Sequence, residues 1–378
     1  MRIVLIGTAF PLRGGIAHYI ALLYNNLKKK GHTVKVLSFK RQYPGLFFPG
    51  KTQKDEGKEL ISIESAPILD SVNPITWIKA FFWLKNIRPQ LLIFKYWMPF
   101  FAPCYAVITC LCKKFLKVKS LYILDNVIPH EQRIGDKILT RIGLKYIDFF
   151  IAQSESVLKD LLQFRPDADY KQIPHPVYEI FPPSISKNKA RRKLGINDDR
   201  VILYFGFIRD YKGVKYLIKA MPLILDFLKV KLLICGEFYE GRQETLRLIE
   251  EKAVINQVIV YDRFIPNEEV GLYFSAADLV VLPYVSATQS GIVQIAYHYE
   301  KPVLVTSVGG LPEVVKHEKC GYVVKPQDPV AIAEGIKKFY KEDKETEFSK
   351  NIKIEKKKYS WDRMTGAVEE FMTNPENE

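Results

Sequence analysis

Residues 283–315, PYVSATQSGIVQIAYHYEKPVLVTSVGGLPEVV, put backbone and side-chain groups where an anion could be held. Thr288, Gln289, Ser290, Gly291 and Ile292 read as a polar loop opening a helix; a buried strand follows, and Gly309-Gly310 then opens a second helix. The first N–H groups of a helix have no internal partner, and its N-terminus carries roughly half a positive charge, so two such ends suit a diphosphate. Gly206-Phe207-Ile208-Arg209-Asp210-Tyr211-Lys212-Gly213 supplies cations on a strand-to-helix loop. The planar fork of Arg209 and the point charge of Lys212 match phosphate oxygens. Gly14 and Gly15, in FPLRGGIAH between a first strand and a first helix, let the backbone approach a ligand closely and point N–H groups at it.

These loops need strands and helices to aim them. Apolar, β-rich runs at 3–6, 33–39, 91–94, 121–124 and 149–152, each followed by a segment of helical period, predict parallel strands covered on both faces. The second half repeats the scheme at 201–205, 231–235, 257–261, 279–282 and 302–306. Residues 173–197, with Pro174, Pro176, Pro182 and Pro183 followed by a basic run, read as the linker between the halves. The expected fold class is α/β, with two Rossmann-like doubly wound domains facing a central cleft and ligands at the carboxyl ends of the strands. The expected domains are 1–175 and 176–355, followed by a charged helical tail at 356–378 that Ser360 would cap.

At 378 residues the chain is too long for one ordinary core, and 48% hydrophobic with 26% charged residues is an ordinary globular composition. A net charge of +14 therefore speaks of anionic partners. No nucleic-acid module accompanies the lysine clusters, so nucleic acid is not an expected partner. The five cysteines Cys104, Cys110, Cys112, Cys235 and Cys320 show neither paired CxxC spacing nor a histidine at ligand distance, which reads as a reduced, cytoplasmic protein with no structural metal. The short apolar run of MRIVLIGTAF predicts a first strand rather than a signal sequence. Residues 96–112 carry no charge but are broken by Pro99 and Pro103, which favours a buried turn and core helix over a membrane span. Trp77, Phe81, Phe82, Trp83 and Leu84 alternate with Lys79 and Lys85, a pattern open to two readings: a helix packed on the sheet, or a helix lying on an anionic bilayer.

Taken together, Ala287-Thr288-Gln289-Ser290-Gly291, Lys301-Pro302-Val303 and Gly309-Gly310-Leu311-Pro312-Glu313 resemble the donor-sugar site of retaining GT-B glycosyltransferases of family four. The resemblance covers nearly the whole chain and implies that the helical tail at 356–378 crosses back to the N-terminal domain. It implies a nucleotide-diphosphate sugar as substrate with no cofactor and no metal. It assigns Arg209 and Lys212 to the diphosphate, although Phe207 stands where the family more often has Arg. It sets Gly14, Gly15 and Gly206 near the donor phosphates, and Glu237 and Phe264 near the base. Where the family often places a histidine close to the reacting sugar carbon, this chain has Asp125, with His130 a few residues on; either is a candidate contact to sugar or acceptor. The paired glutamates of the family are missing: the loop reads Thr288-Gln289-Ser290-Gly291, the second position falls on Ile295 or Ala296, and Gln294 is the nearest polar substitute. The implied activity is transfer, with retention, to a glycan or lipid-linked acceptor in cell-surface polysaccharide synthesis, in the cytoplasm or at the inner membrane face. The missing glutamates motivate an alternative: a non-transferring GT-B partner subunit that binds nucleotide or glycan.

Overall fold

The computed structural model describes residues 1–45, 48, 50–55, 57–129, 131, 133–196 and 200–373. The chain divides into two compact units, Met1–Pro176 with the segment from Tyr359 onward, and Val177–Lys358.

Among the described residues, the first unit holds a seven-stranded parallel sheet. Its strands are β1 (Arg2–Ile6), β2 (Thr33–Arg41), β3 (Ser65–Asp70), β4 (Leu91–Tyr96), β5 (Lys119–Leu124), β6 (Phe149–Ala152) and β7 (Asp169–Gln172), in the order β3-β2-β1-β4-β5-β6-β7. The second unit holds β8 (Arg200–Phe205), β9 (Val230–Cys235), β10 (Val258–Tyr261), β11 (Leu279–Leu282), β12 (Val303–Thr306) and β13 (Gly321–Val324), in the order β10-β9-β8-β11-β12-β13. Strand order reverses between β1 and β4 in one sheet and between β8 and β11 in the other. Loops leaving the carboxyl ends at such a reversal diverge, which opens a crevice.

The runs read from sequence fall on β1, β2, β4 to β6 and β8 to β12, most of them central strands whose faces are both covered and whose side chains are mostly apolar. Three strands have no counterpart among those runs. β3 contains Pro67 and pairs with β2 through register shifts, β7 reads DYKQ and is mostly exposed, and β13 is four residues opening on Gly321. Each lies at a sheet edge, where one-sided burial removes the demand for an apolar run and a proline costs no ladder bond.

The helix Pro74–Ile87 starts at Asn73, whose side chain accepts from the Ile75 N–H, with Pro74 at the first helical position. Its Trp77, Phe81 and Leu84 join a core with Phe94, Tyr105 and Tyr122, so these rings pack on the sheet side. A short 3₁₀ turn, Pro99–Phe101, leads into the helix Ala102–Leu116. The run Pro99–Leu116 is long and apolar enough to cross a membrane by length and composition, and half of it is buried within the first unit.

The basic run read as linker is ordered structure. Lys187–Lys193 forms a helix, and Lys187 and Arg191 reach the Asp278 carboxylate at 2.5 and 2.7 Å. Burial works against ionised Asp278, yet the two cations and the Val201 N–H hold its carboxyl below the usual range. The helix Trp361–Thr373 belongs to the first unit: Glu369 meets Lys30 at 2.6 Å and His32 at 2.9 Å, Glu370 pairs with Lys171, and Phe371 stacks on Phe149.

Candidate functional site

In the second unit, the loop after β8 and the loop after β11 flank the reversal of strand order and are locked together by backbone contacts. The Val285 N–H donates to the Tyr211 carbonyl at 2.8 Å. Gly213 has φ of 67°, and a Cβ there would lie 2.0 Å from the Pro283 carbonyl oxygen, so only glycine permits this approach. Gly206 has φ of 111°, and a Cβ there would meet Ile292 at 3.4 Å. Arg209 precedes a 3₁₀ turn, Asp210–Lys212, and its guanidinium lies 5.1 Å from the centre of the Tyr239 ring. The Lys212 ammonium sits 4.0 Å over the Tyr284 ring and, among the described residues, has no carboxylate partner. Burial lowers Lys212 below the ordinary lysine range; Tyr211 offsets part of that, and the positive charge of Arg209 adds to the lowering. Two cations therefore stand close enough to repel, a situation that an anion relieves.

The helix Gly291–His298 begins at Ser290, whose hydroxyl accepts from the Ile292 N–H at 3.2 Å. Thr288 is buried, and its carbonyl accepts from the Gly310 N–H at 3.0 Å. A Cβ on Gly309 would fall 1.6 Å from the Ala287 carbonyl oxygen, so the second glycine turn is pressed against this loop. Gln289 is half-buried on the same loop. Gln294, 1% exposed, keeps a side-chain oxygen with no hydrogen-bond partner, while Ile295 and Ala296 are buried apolar residues. The expectation of two helix N-termini needs correction. The second is the single turn Leu311–Val314, too few aligned peptides to sum to much of a dipole, so the Gly291 helix supplies the electrostatic end.

Gly206 and Gly236 bring the ends of β8 and β9 together, and a Cβ on Gly236 would lie 2.0 Å from the Gly206 carbonyl oxygen. Glu237 follows, 2% exposed, its carbonyl accepting from the Ile208 N–H at 3.0 Å. Phe207 packs on Tyr239 at 4.5 Å and stacks with Phe264 at 6.2 Å. Three half-buried rings thus form an aromatic surface beside Arg209. Phe264 was legible in sequence as a residue at a strand end; Tyr239 and Tyr284 became visible only when three strand ends were set side by side.

In the first unit, Gly14 caps the helix Gly15–Lys29 with φ of 109°, a backbone conformation open to glycine, and Gly15 is the first helical residue. Asp125 is buried and accepts from the Lys95 ammonium at 2.6 Å. Lys95 also donates to Gln153 at 2.8 Å and lies 3.6 Å over the Tyr19 ring, and Gln153 donates to the Tyr19 hydroxyl at 3.2 Å. Burial lowers the Lys95 ammonium, and Asp125 offsets part of that. Sequence reasoning missed Lys95 and Gln153; a lone lysine in the apolar strand LLIFKY was the available signal. His130 lies outside the described residues. His175 is buried with Nδ1 2.8 Å from the Pro176 carbonyl, and burial lowers it to about 3.

Two Rossmann-like parallel-sheet units, the second carrying a cationic glycine loop beside a helix N-terminus, define a protein of the GT-B fold class. The chain belongs to the family "Glycosyl transferases group 1", whose profile matches residues 186–376. It is 33% identical over 181 residues to an uncharacterised glycosyltransferase of Methanocaldococcus jannaschii, covering 47% of this chain and 46% of that protein. It is 26% identical over 272 residues to D-inositol 3-phosphate glycosyltransferase of Streptomyces scabiei, covering 68% and 60%. The chain thus spans about half the length of the curated relatives it matches. Its fold is similar to sucrose-phosphate synthase of Thermosynechococcus elongatus, with a TM-score of 0.76, 18% identity and 98% of each chain covered. It is similar also to Anabaena HepE in complex with UDP-glucose, with a TM-score of 0.74, 17% identity, and 99% of this chain and 100% of that chain covered.

Proposed function

We propose that this protein is a metal-independent, retaining glycosyltransferase of family-four type that takes a sugar from a nucleotide-diphosphate donor. The observation that carries the reading is the closeness of Arg209 and Lys212, the latter without a carboxylate partner among the described residues, on a loop locked beside the Gly291 helix. As the glycosidic bond to phosphate breaks, negative charge grows on the leaving diphosphate. Arg209, Lys212 and the N–H groups at Ser290 to Ile292 stabilise that charge. The glycine turns at Gly14, Gly15 and Gly206 admit the donor, and Thr288, Gln289 and Gln294 supply polar groups around it. Glu237 and Phe264 contact the base, and Asp125 or His130 is the candidate contact to sugar or acceptor. The acceptor hydroxyl attacks from the face the leaving group departs, and the leaving phosphate takes its proton. The acceptor is a glycan or lipid-linked glycan of cell-surface polysaccharide synthesis, met at the cytoplasmic face of an anionic membrane.

A second reading, a GT-B subunit that binds donor without transferring, is favoured by one observation: Ile295 and Ala296 are buried and apolar where the family has a ribose-binding glutamate. Calorimetric titration with UDP-, GDP-, ADP- and TDP-sugars in EDTA, alongside Arg209→Ala and Lys212→Ala, tests the donor site. HepE was solved with UDP-glucose, so a UDP-sugar is the first donor to try. One donor should bind, and each variant should weaken it at least about tenfold, the loss expected for a charge-assisted phosphate contact. No binding by any donor would defeat the site. Binding with no turnover on any acceptor tried would favour the second reading.

A further inference from the structure

With the big inward rings of helix Pro74–Ile87 accounted for by the sheet, its opposite face remains. There Ile75, Ile78 and Phe82 follow one another at three- and four-residue spacing and are 66, 42 and 56% exposed. Such spacing sets them along one side of the helix, over a length of about 10 Å at 1.5 Å per residue. The neighbouring helix Ala102–Leu116 continues the patch with Phe115, 60% exposed. Phe82 and Phe115 both touch Phe81, with ring centres 5.5 and 5.9 Å from it, so the two exposed rings flank one buried ring. Apolar side chains this exposed and this close together are uncommon on a surface that meets only water.

The charges around the patch decide what covers it. Neither helix contains an aspartate or glutamate. Lys79 and Lys85 are exposed on the first helix, and Lys114 and Lys117 at the end of the second. Among the described residues none of these four has a carboxylate partner, whereas the adjacent Lys113 is held by Asp148 at 2.6 Å. Unpaired lysines interleaved with outward isoleucine and phenylalanine suit a surface that is anionic outside and apolar a few ångströms below. Long lysine side chains can reach headgroup phosphates while the rings enter the acyl boundary.

We propose that this face of the first unit, built on Ile75, Ile78, Phe82 and Phe115 with its rim of lysines, docks the protein on a bilayer containing anionic phospholipid. The inference rests on the membrane-facing part of the reading above and names the surface responsible. It would bring a lipid-linked acceptor to the enzyme without a spanning segment.

The test is flotation of the full chain with vesicles of phosphatidylcholine alone and with vesicles that also contain phosphatidylglycerol, at low and high salt. The protein should float only with the anionic vesicles, and less at high salt. Phe82→Ser with Phe115→Ser, and separately Lys79→Gln with Lys85→Gln, should each weaken vesicle binding at least about tenfold. All four side chains are exposed, so circular dichroism and thermal unfolding should match the parent. Failure to float with anionic vesicles, or equal binding by parent and variants, would overturn the proposal. So would a concentration-dependent dimer in light scattering that the Phe82/Phe115 variant abolishes, since the face would then be a contact between copies. Donor titration of the same variants separates the two readings. Retained donor affinity with lost flotation assigns the surface to docking, whereas flotation without any donor binding keeps the surface and defeats the transferase.

Discussion

At the scale of single residues, burial and charge do opposite things in the two units. Lys95 and Asp125 answer each other in the first unit at 2.6 Å. Lys212 in the second unit is lowered by burial, Tyr211 offsets part of that, Arg209 adds to it, and among the described residues no carboxylate meets the ammonium. His175 shows a third outcome, a titratable ring kept neutral. Burial lowers it from 6.5 to about 3, and the positive charge of Lys95 acts in the same direction. The unfolded chain therefore binds a proton that the folded chain refuses between pH 6.5 and 3, and stability falls as pH drops through that window. By pH 5 the histidine should have cost about 2 kcal/mol relative to neutral pH, at about 1.36 kcal/mol per pH unit. Urea unfolding of the parent and of His175→Gln at neutral pH and near pH 5 checks this. The difference in stability between the two should narrow or reverse on acidification by about that amount, and an unchanged difference would show that His175 is not held neutral.

Elements matter here through the loops they bring together. The β8 and β11 loops meet because Gly213 allows the Pro283 carbonyl oxygen to sit where a Cβ would be, and Gly309 on the loop after β12 does the same for the Ala287 carbonyl. Gly309 has φ of 49°, and its missing Cβ would overlap the Ala287 carbonyl at 1.6 Å. Backbone cannot swing away as a flexible side-chain tip can, so Gly309→Ala should cost about 3 kcal/mol, combining overpacking with left-handed strain. For a unit of this size that is roughly 6–12 °C in Tm. Differential scanning calorimetry would read it, and a shift under about 1 °C would show that the turn opens at little cost. The same contact seats that turn on the loop that carries Thr288 and Ser290.

On the scale of the whole molecule, the C-terminal helix Trp361–Thr373 is part of the first unit although 182 residues of the second, Val177–Lys358, precede it. Trp361, Met364, Val368 and Phe371 are buried, and each is worth about 1.5–3 kcal/mol of burial. Truncation after Lys358 should therefore loosen the first unit and leave the second intact. Hydrogen-exchange mass spectrometry should show lost protection in peptides from 1–176 and unchanged protection in 177–358; uniform loss would mean that the tail stabilises both. The sequence by itself determined the central parallel strands, the cationic glycine loop and the polar helix start, because these depend on short-range pattern: apolar runs, positive-φ glycines and capping residues. It could not determine the edge strands β3, β7 and β13, which lack that pattern, nor the fate of the basic 187–193 run, whose Lys187 and Arg191 are held by Asp278 far along the chain. Only the tertiary structure decided that Asp125 is tied to Lys95 and that Phe82 and Phe115 share an outer face. Partners so distant in sequence leave no local trace, and which side of a helix meets the sheet depends on what the sheet offers it.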